Sequence, residues 1–134
     1  MEVTRDDLRN YQKMKIDLDS LDLQIETAYD TYKSPQLTSS GGSRQPDPGD
    51  PVSRALARIE RLKQERANLV ERMEEIEKFV QQIDDWYERA ICRIHYIEGY
   101  TWEATCLHLR KHHSFGMVAD YDRIWWKNRS QSDE

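Results

Sequence analysis

Thiol and imidazole side chains are confined to the last third of this chain, where they could bind a metal ion or form a nucleophile. Thiolates and imidazoles hold zinc, and a thiol activated by an imidazole attacks carbonyl groups. The candidates are Cys92, His95, Cys106, His108, His112 and His113. Cys106 and His108 are two residues apart on a predicted helix, so their side chains point to different sides, and the sequence has no C-x-x-C pair. We therefore expect buried structural cysteines and no metal ion.

The chain has no sequence motif that holds the phosphate groups of a cofactor. It contains neither a G-x-x-x-x-G-K-[ST] loop nor a G-x-G-x-x-G fingerprint. Nothing marks a base and its orienting partner for Cys92 or Cys106, and a small helical bundle offers little room for a pocket. We therefore expect a protein that is not an enzyme, with no catalytic residues and no cofactor.

Positive charges on both sides of the predicted last helix could contact phosphate groups. These residues are Arg110, Lys111 and His112 before the helix, and Lys127 and Arg129, which are predicted to follow its end. Cations in such places position a protein on nucleic acid without reading its sequence. The alternative is that this charge run is simply solvated.

Length and composition limit the elements that can carry these residues. The chain has 134 residues, of which 34% are charged and 37% hydrophobic, which is enough for one modest domain or two small units that share a core. It has no run of about 20 apolar residues that could span a bilayer. The charged N-terminus is unlike a signal peptide, and two cysteines suit a reducing compartment. These features predict a soluble, helix-rich cytoplasmic protein with no membrane partner.

Charge is distributed unevenly along the chain. The net charge is -5, which disfavours nucleic-acid binding over the whole surface. The first 33 residues carry five basic and eight acidic side chains, whereas residues 86–134 carry seven of each. If the protein contacts DNA, we expect the contact in residues 86–134.

Two long segments show the heptad spacing of helices that pack along one seam. In residues 1–33 the apolar positions are Tyr11, Met14, Leu18, Leu21, Ile25, Ala28 and Tyr32, and Thr4 is the predicted N-cap. In residues 52–85 the positions are Val52, Ala55, Ile59, Leu62, Arg66, Leu69, Met73, Ile76, Val80 and Ile83. Residues 34–51 hold all four prolines and are predicted to be a flexible linker. The pattern predicts a long antiparallel helical hairpin, although either seam could pair with a second copy of the chain.

Arg66 interrupts the apolar seam of the second long segment. A buried unpaired charge is costly, so the side chain must find an acid or reach solvent. In an antiparallel hairpin the acids of the first helix, Asp17, Asp19 and Asp22, would lie near it. We therefore interpret Arg66 either as a snorkelling arginine or as a device that selects register or partner.

Residues 86–134 read as three short helices joined by brief turns. Asp85 with Glu88 is a predicted capping box, Gly99 ends the first helix, and Thr101 and Ser114 cap the next two. The predicted inward positions are Trp86, Ala90, Ile91, Ile94 and Ile97, then Trp102, Cys106 and Leu109, then Val118, Tyr121, Ile124 and Trp125. Trp126 is left open between core and interface. Three such helices form a small helix-turn-helix unit.

The stretch from Arg93 to Glu103, RIHYIEGYTWE, resembles a segment of phage regulators of the RinA and ArpU type. The resemblance implies an all-α protein in which a long coiled-coil-like hairpin precedes a helix-turn-helix similar to region four of sigma factors. It also implies a phage-encoded, DNA-binding regulator of late gene expression that acts in the cytoplasm of a bacterial host cell.

The predicted recognition helix departs from the pattern of those relatives. Its candidate contact residues are Ser114, Phe115, Met117, Ala119, Asp120 and Arg123. No amide or guanidinium that could read a base edge precedes Arg123, and Asp120 and Asp122 would repel phosphates. The resemblance of residues 93–103 still makes DNA binding the leading interpretation, with half-sites supplied by oligomerisation through the long helices. The alternative is a helix-turn-helix fold reused to bind a protein such as RNA polymerase or a host defence nuclease.

Overall fold

The computed structural model describes residues 2–33, 50–109 and 115–132, and within these ranges the chain is all-α. The helices are α1 (Arg5–Arg9), α2 (Tyr11–Lys33), α3 (Pro51–Gln81), α4 (Trp86–Ile91), α5 (Trp102–His108) and α6 (Phe115–Ser132), and a π-helical segment, Cys92–Ile97, continues α4. The predicted all-α class is therefore confirmed. None of the described helices combines the length and apolarity that crossing a membrane requires. Most of the predicted linker, residues 34–49, lies outside the described residues.

The N-terminal helix begins where the sequence predicts it. Thr4 Oγ1 accepts a hydrogen bond from the Asp7 backbone N–H, and Asp7 Oδ2 accepts one from the Thr4 backbone N–H, which completes a capping box. The single helix predicted for residues 1–33 is instead two helices, because Asn10 interrupts it between α1 and α2.

Residues Lys15–Glu71 form one compact unit, here called the hairpin unit. Asp22 of α2 pairs with Arg66 of α3, and further along α2 the ring of Tyr29 lies 5.1 Å from Lys63 Nζ. A later residue of α2 thus contacts an earlier residue of α3, so the two helices run antiparallel, as predicted. The seam buries Leu21, Ala28, Ile59 and Leu62, with Ile25, Tyr29, Tyr32 and Leu69 packed around them.

Arg66, the charged residue in the seam of the hairpin unit, forms an ion pair with an acid of α2. Its Nε donates to Asp22 Oδ1, and both side chains are close to half exposed. The guanidinium therefore reaches both an acid and solvent, as an arginine that snorkels from a helix seam does. Because the pair is exposed and screened, we assign it little stabilising free energy.

The second compact unit, here called the head unit, combines Met1–Met14 with Arg72–Glu134. The division between the two units falls within α2 and α3 and not at the ends of those helices. The head unit's apolar core comprises Val3, Leu8, Tyr11, Met73, Ile76, Val80, Ile83, Ile91, Cys92, Tyr96, Cys106, Val118 and Trp126.

The buried faces of the last helices differ from the predicted ones. Trp86, predicted to face inward, is 69% exposed, and Tyr121 and Ile124 are also exposed. The inward stripe of α6 is Val118, Asp122 and Trp126, which recur every four residues. The hydrophobic pattern missed this phase because its middle position is an aspartate.

The tandem tryptophans are also reversed relative to the prediction. Trp126 is buried and stacks on Phe79, with ring centroids 5.7 Å apart, whereas Trp125 is only half-buried. The expectation that Trp125 is the core residue is therefore wrong. Adjacent positions on a helix diverge by about 100°, so only one of the two rings can enter the core.

Candidate nucleic-acid interface

The turn between the π-helical segment and α5 is set by a glycine and a threonine. Gly99 has a φ of 86°, a left-handed conformation that glycine adopts most readily. Thr101 Oγ1 then accepts from the Ala104 backbone N–H and caps α5. Both predicted signals are confirmed. The turn places α5 against α6, where Cys106 packs with Ile91 and Val118.

The π-helical segment is held by a side chain from the start of α2. Gln12 Nε2 donates to the backbone carbonyls of Tyr96 at 2.8 Å and Ile97 at 2.7 Å. A π-helical stretch leaves carbonyls out of the regular α-helical pattern, and such segments are common at functional sites. The amide satisfies two of these carbonyls, and it also closes over Gly99, where an added Cβ would lie 2.8 Å from Gln12 Cδ.

Tyr96 reaches across the head unit to the buried face of α6. Its hydroxyl donates to Asp122 Oδ2 at 2.6 Å, and Arg5 Nη2 lies 3.3 Å from the same oxygen. Asp122 is fully buried, and the guanidinium of Arg5 from α1 balances its charge. Burial and then the charge of Asp122 raise the pKa of Tyr96, so the phenol remains a donor.

A second buried carboxyl lies beside Asp122. Glu88 of α4 is fully buried, and its Oε2 accepts from Cys92 Sγ at 3.2 Å. Its other oxygen, Oε1, and Asp122 Oδ1 are both buried without another hydrogen-bond partner. Burial first, and then the hydrogen bond and charge of Asp122, raise the pKa of Glu88 well above its ordinary range. A proton held on Glu88 and donated to Asp122 accounts for both orphaned oxygens.

The same trio of side chains offers donor atoms close enough to share an ion. Donor atoms of Glu88, Cys92 and Asp122 all lie within 4.8 Å of one another. Arg5 already supplies a positive charge to Asp122, and burial, followed by the charge of Glu88, raises the pKa of the Cys92 thiol. The donor set therefore fits a shared proton and a neutral thiol better than a divalent cation.

His95 serves the scaffold of the turn. Its ring stacks on Trp102 with centroids 3.6 Å apart, and its Nδ1 lies 2.6 Å from the Tyr100 carbonyl oxygen. Burial lowers the pKa of this imidazole, which favours the neutral ring, and a proton on Nδ1 would be donated to that carbonyl.

The capping residue of α4 also anchors the outer edge of α6. Asp85 accepts from the backbone N–H groups of Tyr87 and Glu88, as predicted, but Glu88 turns into the core and does not complete a capping box. Tyr121 donates to Asp85 Oδ2 at 2.6 Å. That hydrogen bond, with partial burial, raises the pKa of Tyr121 to about 12. Partial burial alone would raise the pKa of Asp85, but the bonds from Tyr121 and the two backbone groups lower it.

Of the residues predicted to contact DNA, some precede α6 and the others lie on α6, where they differ in exposure. Arg110, Lys111, His112 and Ser114 lie outside the described residues, as does the side chain of Phe115. Met117 is exposed and Ala119 half-buried. Asp120 is exposed, and its Oδ1 lies 3.5 Å from Arg123 Nε. Of the predicted contact residues that the structure describes, the exposed ones are thus the apolar Met117 and the ion-paired Asp120 and Arg123.

The basic residues near the end of α6 border a groove with the N-terminal segment. The groove has a volume of about 400 Å³, and its charged lining residues are Glu2, Arg5, Asp6, Arg123, Lys127 and Arg129. Lys127 is exposed, while the Arg129 guanidinium lies over the Phe79 ring at 4.8 Å and the Trp125 ring at 5.7 Å. The structure thus brings Lys127 and Arg129 together with Arg5, which sequence reasoning did not connect with them.

Sequence reasoning missed the buried polar residues behind α6. Glu88, Cys92 and Tyr96 recur every four residues, and this spacing could have revealed a polar stripe beside the apolar one. The participation of Arg5 had no local signal, because it lies 91 residues from Tyr96.

Comparisons of the chain with protein-family models, with curated proteins and with solved structures find no match.

Proposed function

We propose that this protein is a non-enzymatic regulator of transcription that binds DNA through its helix-turn-helix. In this proposal α6 enters the major groove and α5 supports it, as in other helix-turn-helix proteins. The resemblance of residues 93–103 to phage regulators supports the assignment to phage late gene control in a bacterial cytoplasm.

The observation that carries the proposal is the burial of Asp122. On the surface of a recognition helix this aspartate would repel phosphates, but its carboxylate is fully buried and bonded to Tyr96 and Arg5. The remaining acid on that part of α6, Asp120, faces Arg123. The main electrostatic objection to DNA binding is therefore reduced to one paired, exposed carboxylate.

Phosphate contacts would come from the groove between the N-terminal segment and the end of α6, and from the basic residues that precede α6 in the chain. Lys127, Arg129 and Arg123 border that groove, and Arg110, Lys111 and His112 precede α6 in the chain. Contacts of this kind give affinity and salt dependence, whereas sequence preference must come from base edges.

Selection of DNA from a random duplex pool tests the proposal. The full chain is incubated with the pool at about 50 mM salt, and bound DNA is recovered and sequenced over several rounds. We expect enrichment of a common motif and a gel shift of the enriched duplex. The absence of any shift at this low salt would overturn the proposal.

A protein partner is the second candidate function, and the exposed large apolar residues of the head unit favour it. Trp86 is 69% exposed and Leu107 72% exposed, although neither lies on α6. Exposed apolar side chains of this size mark protein interfaces when they form a patch. RNA polymerase or a host nuclease would be the partner in this case. A nuclease-treated pull-down tests it: specific recovery that Trp86→Ala abolishes supports it, and the absence of any specifically recovered protein contradicts it.

A further inference from the structure

The outward face of α6 is apolar in its first three turns. Met117 is 53% exposed, Tyr121 38% and Ile124 47%, and their spacing of four and three residues places them on one helix face. Val118 and Asp122 directly follow Met117 and Tyr121 in the chain, so the buried face that they form with Trp126 begins about 100° round the helix from the exposed face. These three exposed apolar residues are therefore not part of the buried core of the head unit.

The polar alternatives on this face are few. Between Phe115 and Asp122 the helix contains no Asn, Gln, Lys or Arg, so the side chains that make bidentate bonds with guanine or adenine are missing. The Tyr121 hydroxyl donates to Asp85, and its ring packs edge-to-face on Tyr87 with centroids 4.7 Å apart, so only the part of the ring that faces away from Tyr87 is open to a ligand. Asp120 offers only acceptor oxygens, which suit the amino groups of adenine or cytosine.

The only methyl group on the major-groove edge of the base pairs is the C5-methyl of thymine, and it is the group that suits apolar side chains. We infer that Met117, Tyr121 and Ile124 read thymine methyl groups, so that the DNA target is a thymine-containing, A·T-rich half-site. This inference rests on the proposed function and specifies its ligand. Asp120 fits the same target, because the adenine of an A·T pair presents an amino group on the same major-groove edge as the thymine methyl.

Uracil substitution tests this contact at the level of one methyl group. Uracil pairs as thymine does but lacks the C5-methyl, so replacing thymines one at a time in the selected duplex removes only the group in question. Loss of one buried methyl contact predicts about a four-fold weaker affinity at each contacted thymine. Thymines outside the contacted positions should show no change.

A variant identifies the side chain that makes the contact. Met117→Ala should weaken binding to the thymine duplex and should no longer distinguish thymine from uracil at one position. Leu23→Ala is the matched control, since Leu23 is 63% exposed on the hairpin unit and its loss should leave both affinities unchanged. Circular dichroism of each variant verifies that it folds.

The outcomes separate this inference from the proposed function. Tight binding to a selected duplex that no uracil substitution weakens would overturn the inference and leave DNA binding intact. Failure to select any DNA would overturn both, and the apolar face of α6 would then be a protein-docking surface. Position-specific uracil sensitivity that Met117→Ala removes would establish the contact.

Discussion

Tyr96 donates a hydrogen bond of 2.6 Å to Asp122, and this bond joins the π-helical segment to the buried face of α6. Asp122 also receives Arg5 from α1. Three elements that are distant in sequence thus meet at one carboxylate. Because α6 is the proposed recognition helix, this carboxylate fixes the orientation in which its outward face is presented.

Removal of the Tyr96 hydroxyl should destabilise the head unit. Tyr96→Phe leaves the buried Asp122 oxygen with Arg5 as its remaining partner, and we expect a loss of about 1–3 kcal/mol in the free energy of unfolding. Urea unfolding followed by circular dichroism measures it. Tyr100→Phe is the control, because Tyr100 is exposed. Equal stability of Tyr96→Phe and the wild type would contradict the assigned bond.

The carboxyl pair predicts that stability falls as pH rises above the ordinary range of a glutamate. The folded state keeps a proton on Glu88 that the unfolded chain releases, because the folded pKa of Glu88 is raised by burial and then by Asp122. The unfolded state therefore binds fewer protons, and the free energy of unfolding decreases with pH until the folded group itself ionises.

Glu88→Gln should remove this contribution to the pH dependence. The amide N–H₂ replaces the carboxyl proton as donor to Asp122, and no proton has to be retained. While only the unfolded chain releases this proton, the free energy of unfolding of the wild type falls by about 1.4 kcal/mol per pH unit, and we expect the variant to lack this fall between about pH 5 and pH 8. Urea midpoints across that range measure it, with the exposed Glu103→Gln as control. A wild-type slope in Glu88→Gln would show that Glu88 does not hold the proton.

Gly99 should tolerate no side chain. Gly99→Ala places a Cβ at a φ of 86° and within 2.8 Å of Gln12 Cδ. We expect a destabilisation of about 1–3 kcal/mol, since backbone strain adds to displacement of Gln12 from the carbonyls of Tyr96 and Ile97. Thermal unfolding measures the loss. Ala104→Gly is the comparison, because Ala104 lies in α5 with an ordinary helical backbone. A smaller loss of stability in Gly99→Ala than in Ala104→Gly would contradict the expected strain at Gly99.

The cysteines should be inert in the folded protein. Both are buried, and burial together with Glu88 raises the pKa of the Cys92 thiol. Ellman's reagent at pH 8 should therefore report no rapidly reacting thiol in native buffer and two after denaturation in guanidinium. Rapid reaction of either thiol in native buffer would show that the core around Glu88 opens readily.

Apolar periodicity and capping chemistry were predictable because they are local. The seam of the hairpin unit, with Leu21, Ile59 and Leu62, and the caps at Thr4 and Thr101 follow from residue type and spacing alone. The antiparallel direction followed from two long helices with matched seams and from the linker between them.

The buried polar cluster was not predictable in the same way. Rules based on hydropathy place Asp122 on the surface and Tyr121 in the core, but Asp122 is stabilised by Arg5, more than 100 residues away in the chain. The π-helical segment likewise depends on Gln12, a tertiary contact that no local pattern encodes. The inward face of α6 depends on the contact of Asp122 with Arg5, so the apolar pattern of that helix alone could not identify it.

The salt dependence of DNA affinity tests the central claim most directly. Fluorescence anisotropy of a selected duplex should give a linear fall of log affinity with log salt. Lys127→Glu should weaken binding and lower the slope by about 1, whereas Lys78→Glu, the same charge change at an exposed position on α3, should leave the slope unchanged. Equal slopes for the wild type and both variants, or no binding at low salt, would contradict a DNA-binding α6.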